Sequence, residues 1–314
     1  LEDHGYPRRY MHFTDEIIAP LADYGGGSGT GACWIDEPWM PEKWNNSPYT
    51  CDWGTGKIFQ HPLVTKGAGY EAKQNLFLGL TRATDLDVDS QGHIYAASWR
   101  GGMFKWDGPE IGFIARLTPE GATIPSMPNF QQATAATLVT ILAGPSQRLR
   151  LESQRTLLGR ALVAEAADSL AALASNSEAI LAGRVAAIFT LALGEKAAAI
   201  PVLKTLADQP AIAAWVVRAL GDLAAEGIPI PREPVRAALA ALDARTRREA
   251  IVAIARIGDG LEAPLLLPLA ADSDPIVGHT AIEALVSLGQ QAAPVESAVI
   301  AACNAALDAS TTSA

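Results

Sequence analysis

Cysteine is scarce in this 314-residue chain, with only Cys33, Cys51 and Cys303, too few for a disulfide framework. None falls in the C-x-x-C spacing of a zinc site or the C-x-x-C-H spacing of covalent haem, which excludes both. His4, His12, His61, His93 and His279 are scattered without metal-ligand spacing, and no Gly-x-Ser-x-Gly elbow supports a hydrolase triad. Cations are also short, 24 Lys plus Arg against 34 Asp plus Glu, for a formal charge of −10. A nucleic-acid binder needs a basic face to neutralise phosphates, and nothing supplies one. No run approaches 18 consecutive strongly apolar residues, so no transmembrane segment is expected.

What the chain does have is a repeat. Tyr49-Thr-Cys-Asp-Trp53-Gly-Thr-Gly56-Lys-Ile58 and Tyr95-Ala-Ala-Ser-Trp99-Arg-Gly-Gly102-Met-Phe104 keep Tyr, Trp, Gly and an apolar residue in register, 46 positions apart. A period of about 40–50 residues built from short strands and glycine turns is what β-propeller blades produce. The match resumes as Ile58 to Ala68 against Phe113 to Ala122, so the second copy carries an insertion of about eight residues after Trp99. That insertion contains Gly101, Gly102, Trp106 and Gly108-Pro109, and insertions of this kind form surface loops that carry binding groups.

Strands are expected at 30–35, 49–53, 57–63, 75–79, 83–88, 93–98 and 112–117. At roughly 45 residues per blade, residues 1–119 hold two to three blades, fewer than the four or so a closed propeller needs. With Leu1 in first place, this reads as a piece of a longer protein. Cys33 and Cys51 both fall on candidate strands, where a disulfide and two buried thiols are both open.

After a linker at 120–130, residues 131–309 turn to Ala and Leu with a 3.6-residue apolar period, and 310–314 form a frayed tail. Leu158-Gly159, Leu193-Gly194, Leu220-Gly221, Ile257-Gly258 and Leu288-Gly289 recur at spacings of 27 to 37 residues. That suits helix–turn–helix units with glycine as a left-handed C-cap. In the clearest copy, Asp272 to Gly289, Asp274 can N-cap, Pro275 fits the first turn, and Val277, Ala281, Leu285 and Leu288 form one apolar stripe. This resembles the HEAT repeat, with related copies from Asp208 and Leu242, and with Gly278 where that repeat usually has a bracing Arg. The expected fold is multidomain β plus α: a partial β-propeller followed by an α-α superhelix, a HEAT-like solenoid of about five or six helix pairs.

Chemistry-bearing residues are few. Asp85-Leu-Asp87-Val-Asp89-Ser-Gln-Gly92 has glycine at its eighth position rather than its sixth, which rules out an EF-hand. Its period of two reads as a strand with the aspartates on one face, or as a strand whose Asp85 reaches a channel-mouth site. Arg82 and Asp85 can orient a polar ligand there, or form an ion pair between blades. The loop Tyr24-Gly-Gly-Gly-Ser-Gly-Thr30-Gly31 lacks the Lys-Ser/Thr of a phosphate loop and reads as a blade-to-blade turn or a close approach to a ligand. His4, beside Asp3 in a turn-like setting, is the one candidate general base.

Asp3 to Pro7, Leu21 to Gly29, Thr50 to Gly54, Thr84 to Asp89 and Ser98-Trp99-Arg100-Gly101-Gly102 resemble the large bacterial proteins labelled membrane-bound dehydrogenases. Those carry a glucose/sorbosone-dehydrogenase-like propeller followed by HEAT repeats, and Arg150 to Arg155 is similar to their junction. The resemblance implies a fragment of a periplasmic or other extracytoplasmic protein whose full-length parent oxidises a sugar or alcohol with pyrroloquinoline quinone and calcium, the fragment alone being inactive and holding neither. Under that enzyme reading Arg82, Asp85, Trp99 and Arg100 contact cofactor or substrate, and His4 is the catalytic candidate. The competing expectation is a non-catalytic propeller–solenoid protein that holds a glycan, or a protein partner on the solenoid's concave face.

Overall fold

The computed structural model describes residues 21–22, 27–89, 93–101, 108–290 and 293–311. The chain is a mixed β-plus-α protein, strands first and helices after. Nine strands are described: β1 (Gly29–Ile35), β2 (Ser47–Asp52), β3 (Lys57–Gln60), β4 (Leu63–Lys66), β5 (Gly69–Ala72), β6 (Asn75–Gly79), β7 (Asp85–Val88), β8 (Ile94–Trp99) and β9 (Gly112–Leu117). They make two antiparallel meanders, β1-β2-β3-β6 and β7-β8-β9, plus the hairpin β4–β5, and no closed barrel among the described residues.

Alternation drives both sheets. Tyr49 and Cys51 on β2, and Ile94 and Ala96 on β8, point into a shared core with Ile35, Ile58 and Leu86. Phe77 stacks edge to face on Tyr49, with centroids 4.9 Å apart. The sheets meet along their first strands, where the Gly31 amide donates to the Thr84 carbonyl at 2.9 Å. The single strand expected over 57–63 is instead two: β3 ends at Gln60, and β4 opens the hairpin at Leu63. Pro62 has no N–H to continue the ladder.

The helices are α1 (Ala135–Leu142), α2 (Gln147–Gly159), α3 (Val163–Ser175), α4 (Leu181–Glu195), α5 (Ile200–Leu206), α6 (Ala213–Ala225), α7 (Arg232–Ala238), α8 (Ala244–Ile257), α9 (Ala263–Leu266), α10 (Pro275–Gly289) and α11 (Ala293–Thr311). Consecutive helices pack as pairs, and α2, α4, α6, α8 and α10 touch in sequence along one layer. Apolar stripes such as Val277, Ala281 and Leu288 are fully buried against those neighbours.

The glycine caps are mostly not caps. Of the five paired glycines, only Gly258 is a left-handed C-cap, at φ 72°. Gly159 and Gly289 are the last residues of α2 and α10, and Gly194 and Gly221 lie inside helices. A Cβ on Gly194 would stand 2.5 Å from Val163, and one on Gly221 3.0 Å from Ala253, so these two glycines permit close helix contact. The run Leu181–Leu206 meets the length and composition of a membrane-crossing helix, with mean hydropathy 1.6. Here it bends at Lys196 (φ 52°), and the buried Arg184 donates to the Ala174 carbonyl at 2.9 Å and to Gln209 at 2.6 Å.

Candidate functional site

Trp53 follows β2 and Trp99 ends β8, so the matched tryptophans hold equivalent places in the two sheets. Their rings meet edge to face, with centroids 6.1 Å apart and planes at 67°. Arg82 lies against this pair. Its guanidinium sits 4.1 Å over the Trp53 ring, and Nη1 donates to the carbonyls of Trp53 at 3.3 Å and Gly54 at 3.4 Å. Its φ of 53° places a bulky residue in the left-handed region, which the surrounding contacts must hold. Trp99 Nε1 is buried with no acceptor among the described residues.

The other expected site residues stand apart from that cluster. Asp85 is exposed, and its Oδ1 accepts from the Leu86 amide at 2.9 Å, so it makes no pair with Arg82. Arg100 lies 5.7 Å over the Phe113 ring, and its amide donates to the Ile111 carbonyl at 2.7 Å. His4 and residues 102–107 of the insertion lie outside the described residues.

Sequence reasoning gave no weight to Asp52 on its own. Its carboxylate is fully buried at the β2–β3 turn. Oδ1 accepts from the amides of Ser28 (2.8 Å), Gly54 (2.8 Å) and Thr55 (3.3 Å), and Oδ2 from the Thr55 hydroxyl (2.7 Å). Burial alone would raise its pKa, but the Thr55 hydroxyl and the three amides outweigh it and hold the group below the usual 3.8. The glycine-rich loop is shaped to this group: a Cβ on Gly27 would stand 2.1 Å from Oδ2. Gly31 approaches Asp85 in the same way, its Cβ falling 2.1 Å from Oδ1.

The implied cofactor does not find a cradle in these residues. A planar quinone bearing several carboxylates needs cations directed at it, whereas Arg82 and Arg100 are both stacked on aromatic rings, Trp53 and Phe113. Among the described residues no three of His, Cys, Asp or Glu converge on one point. Asp85 and Asp87 are each turned onto the next backbone amide, at 2.9 and 2.8 Å. Cys33 and Cys51 are free thiols, pushed up to about 12 chiefly by burial, so the disulfide alternative is not realised.

Among the described residues, two of the contacts that join strands to helices centre on a carboxylate, and Arg148 Nη1 also donates to the Asp89 carbonyl at 3.3 Å. Glu37, buried in the loop after β1, accepts from the Ser146 hydroxyl at 2.6 Å and the Arg148 amide at 2.8 Å, at the start of α2. Asp36 beside it pairs with Arg150 at 2.8 Å. The second contact is the tip of β4–β5: Asp274 Oδ2 accepts from the Ala68 amide at 2.8 Å, and Arg248 Nη1 donates to the Ala68 carbonyl at 2.7 Å. Two clefts, of about 250 and 280 Å³, flank these contacts, and neither is lined by Arg82, Asp85, Trp99 or Arg100. Neither a family model nor a curated protein matches this chain.

Proposed function

We propose that this chain is a non-catalytic scaffold, in which two blades of a partial β-propeller are fixed to a HEAT-like α-solenoid. The observation that carries this reading is the two-point attachment, Glu37 on the start of α2 and the β4–β5 tip on Asp274, which makes one body of strands and helices. Two four- and three-stranded meanders whose first strands adjoin support the blade reading, and the sequential contact of α2, α4, α6, α8 and α10 supports the solenoid. In this reading Arg82, Trp53 and Trp99 brace blade against blade. The resemblance adds an extracytoplasmic setting with a glycan or protein as the partner.

The dehydrogenase reading remains attached to the resemblance, with Trp99 Nε1, which has no acceptor among the described residues, as a donor for a ligand in that cluster. Calorimetric titration of the whole chain with pyrroloquinoline quinone and Ca²⁺, followed by a dye-reduction assay over sugars and polyols, separates the two. The scaffold reading expects no saturable quinone binding and no reduction. Saturable binding that disappears in Arg82→Ala would overturn it.

A further inference from the structure

We propose that the cleft between the β4–β5 hairpin and helices α4, α6 and α8 binds a carboxylate carried on a small apolar body, with Arg245 reading the charge. It lies apart from the Arg82 and Trp99 cluster and stands whether or not that cluster ever meets a ligand. The cleft measures about 280 Å³ and is walled by three aromatic rings, Tyr70 from the hairpin, Phe189 from α4 and Trp215 from α6. Ligand pockets usually span about 300–1,000 Å³, so the occupant is small, about one ring or a short aliphatic chain.

The charges in the lining are Arg218, Arg245 and Arg248 against Glu249 alone, which makes the cleft cationic in a protein of formal charge −10. Two of the three arginines are already engaged. Arg248 pairs with Glu249 and donates to the Ala68 carbonyl, and Arg218 pairs with Asp222 at 3.0 Å and lies 3.7 Å from Glu249.

Arg245 differs from both. Its guanidinium lies between two rings, 4.9 Å from the Tyr70 centroid and 5.7 Å from that of Trp215. It makes one long hydrogen bond, Nη2 to the Thr65 hydroxyl at 3.3 Å, and its Nε is buried with no acceptor among the described residues. Asp243, two positions away, feels the Arg245 charge and accepts from its amide, but makes no direct ion pair with the guanidinium; its carboxylate caps α8, accepting from the Thr246 amide at 2.9 Å and hydroxyl at 2.7 Å. A guanidinium that stacks on rings and makes only one long hydrogen bond keeps N–H donors for a planar two-oxygen acceptor, and a carboxylate is the matching group. The same chemistry reaches the cleft either as a free small acid or as the acidic side chain of a peptide.

The test is calorimetric titration of the whole chain with benzoate against benzamide, and with N-acetyl-Ala-Glu-Ala-amide against its Gln counterpart. At least one carboxylate is expected to saturate with a Kd of about 1 mM or tighter, and its neutral match to bind about tenfold more weakly. Benzoate alone identifies a free acid as the source, and the Glu peptide an acidic partner. Arg245→Gln should weaken binding about tenfold with circular dichroism unchanged, and Arg245→Lys should fall between, keeping the charge and losing the fork. If Arg245→Gln does not fold, Trp215→Leu serves in its place, since it removes a stacking wall and no charge. The proposal is overturned if neither carboxylate saturates by about 20 mM, if the neutral probes bind equally well, or if the folded variants bind like the native chain.

Discussion

The Ala68 amide lies 2.8 Å from Asp274 Oδ2, although 206 positions separate the two residues. The other oxygen of the same carboxylate caps α10, accepting from the amides of Ile276 at 2.9 Å and Val277 at 3.2 Å. One side chain therefore ends a helix and holds a β-hairpin. The approach depends on Gly67, at φ 54°, whose Cβ would fall 1.8 Å from Oδ2.

Asp274→Asn separates the two roles. Asparagine caps as well as aspartate, but its amide group turns a donor toward the Ala68 donor. Hydrogen exchange across 63–72 should quicken by about tenfold, the loss of one hydrogen bond, with α10 still protected. Asp274→Ala should also lose the cap, costing about 1 kcal/mol more. Unchanged exchange in the hairpin of either variant would show that the contact carries no weight.

Asp52→Ala removes the acceptor of four hydrogen bonds and leaves their donors at a buried turn. Urea denaturation should report a loss of roughly 2–4 kcal/mol. A loss within about 0.5 kcal/mol, the range of ordinary surface substitutions, would contradict the anchoring role.

Stability should fall in two steps on acidification. Burial holds His61 below its ordinary 6.5, so the unfolded chain takes up that proton first and the stabilising effect present above pH 6.5 is lost as pH drops. Asp272, held below 3.8 mainly by the hydrogen bond from Arg247, and Asp52 contribute stability that is complete above 3.8 and lost below it. The midpoint of thermal unfolding against pH should be flat between about 7 and 8, decline below 6.5 and steepen below 3.8, and fall again above about 9, where the unfolded chain releases the Cys33 and Cys51 protons that burial retains. In His61→Gln the first decline should vanish, and its survival would assign it to another group.

Cys33 and Cys51, raised to about 12 by burial, should resist alkylation at pH 8 in the folded chain and react once urea unfolds it. Mass mapping of labelled peptides checks this. Rapid native labelling of either thiol would contradict the packed core around Tyr49 and Ile58.

The alternating pattern in 30–35, 93–98 and 112–117 was legible because one face of each strand is more buried than the other, and period two records that directly. The stripe of α10 and its Asp274 cap were legible for the equivalent reason at period 3.6. The Leu-Gly pairs misled, because a glycine that admits Val163 or Ala253 looks the same in sequence as one that caps a helix. The β4–β5 hairpin was hidden because its meaning lies in partners about 180 to 206 positions away, Arg245, Arg248 and Asp274. Among the site residues, the pairing of Trp53 with Trp99 was implicit in the repeat, whereas the stacking of Arg82 and the burial of Asp52 are products of packing that no local spacing records.

The central claim is that strands and helices form one body, and tryptophan placement allows a direct measurement. Trp215 is the one tryptophan beyond residue 119, so tryptophan fluorescence reports mainly the sheets while ellipticity at about 222 nm reports the helices. The account predicts that both signals follow one coincident transition in urea for the native chain, and separate when Asp274→Ala is combined with Glu37→Ala. Two distinct transitions in the native chain would contradict it.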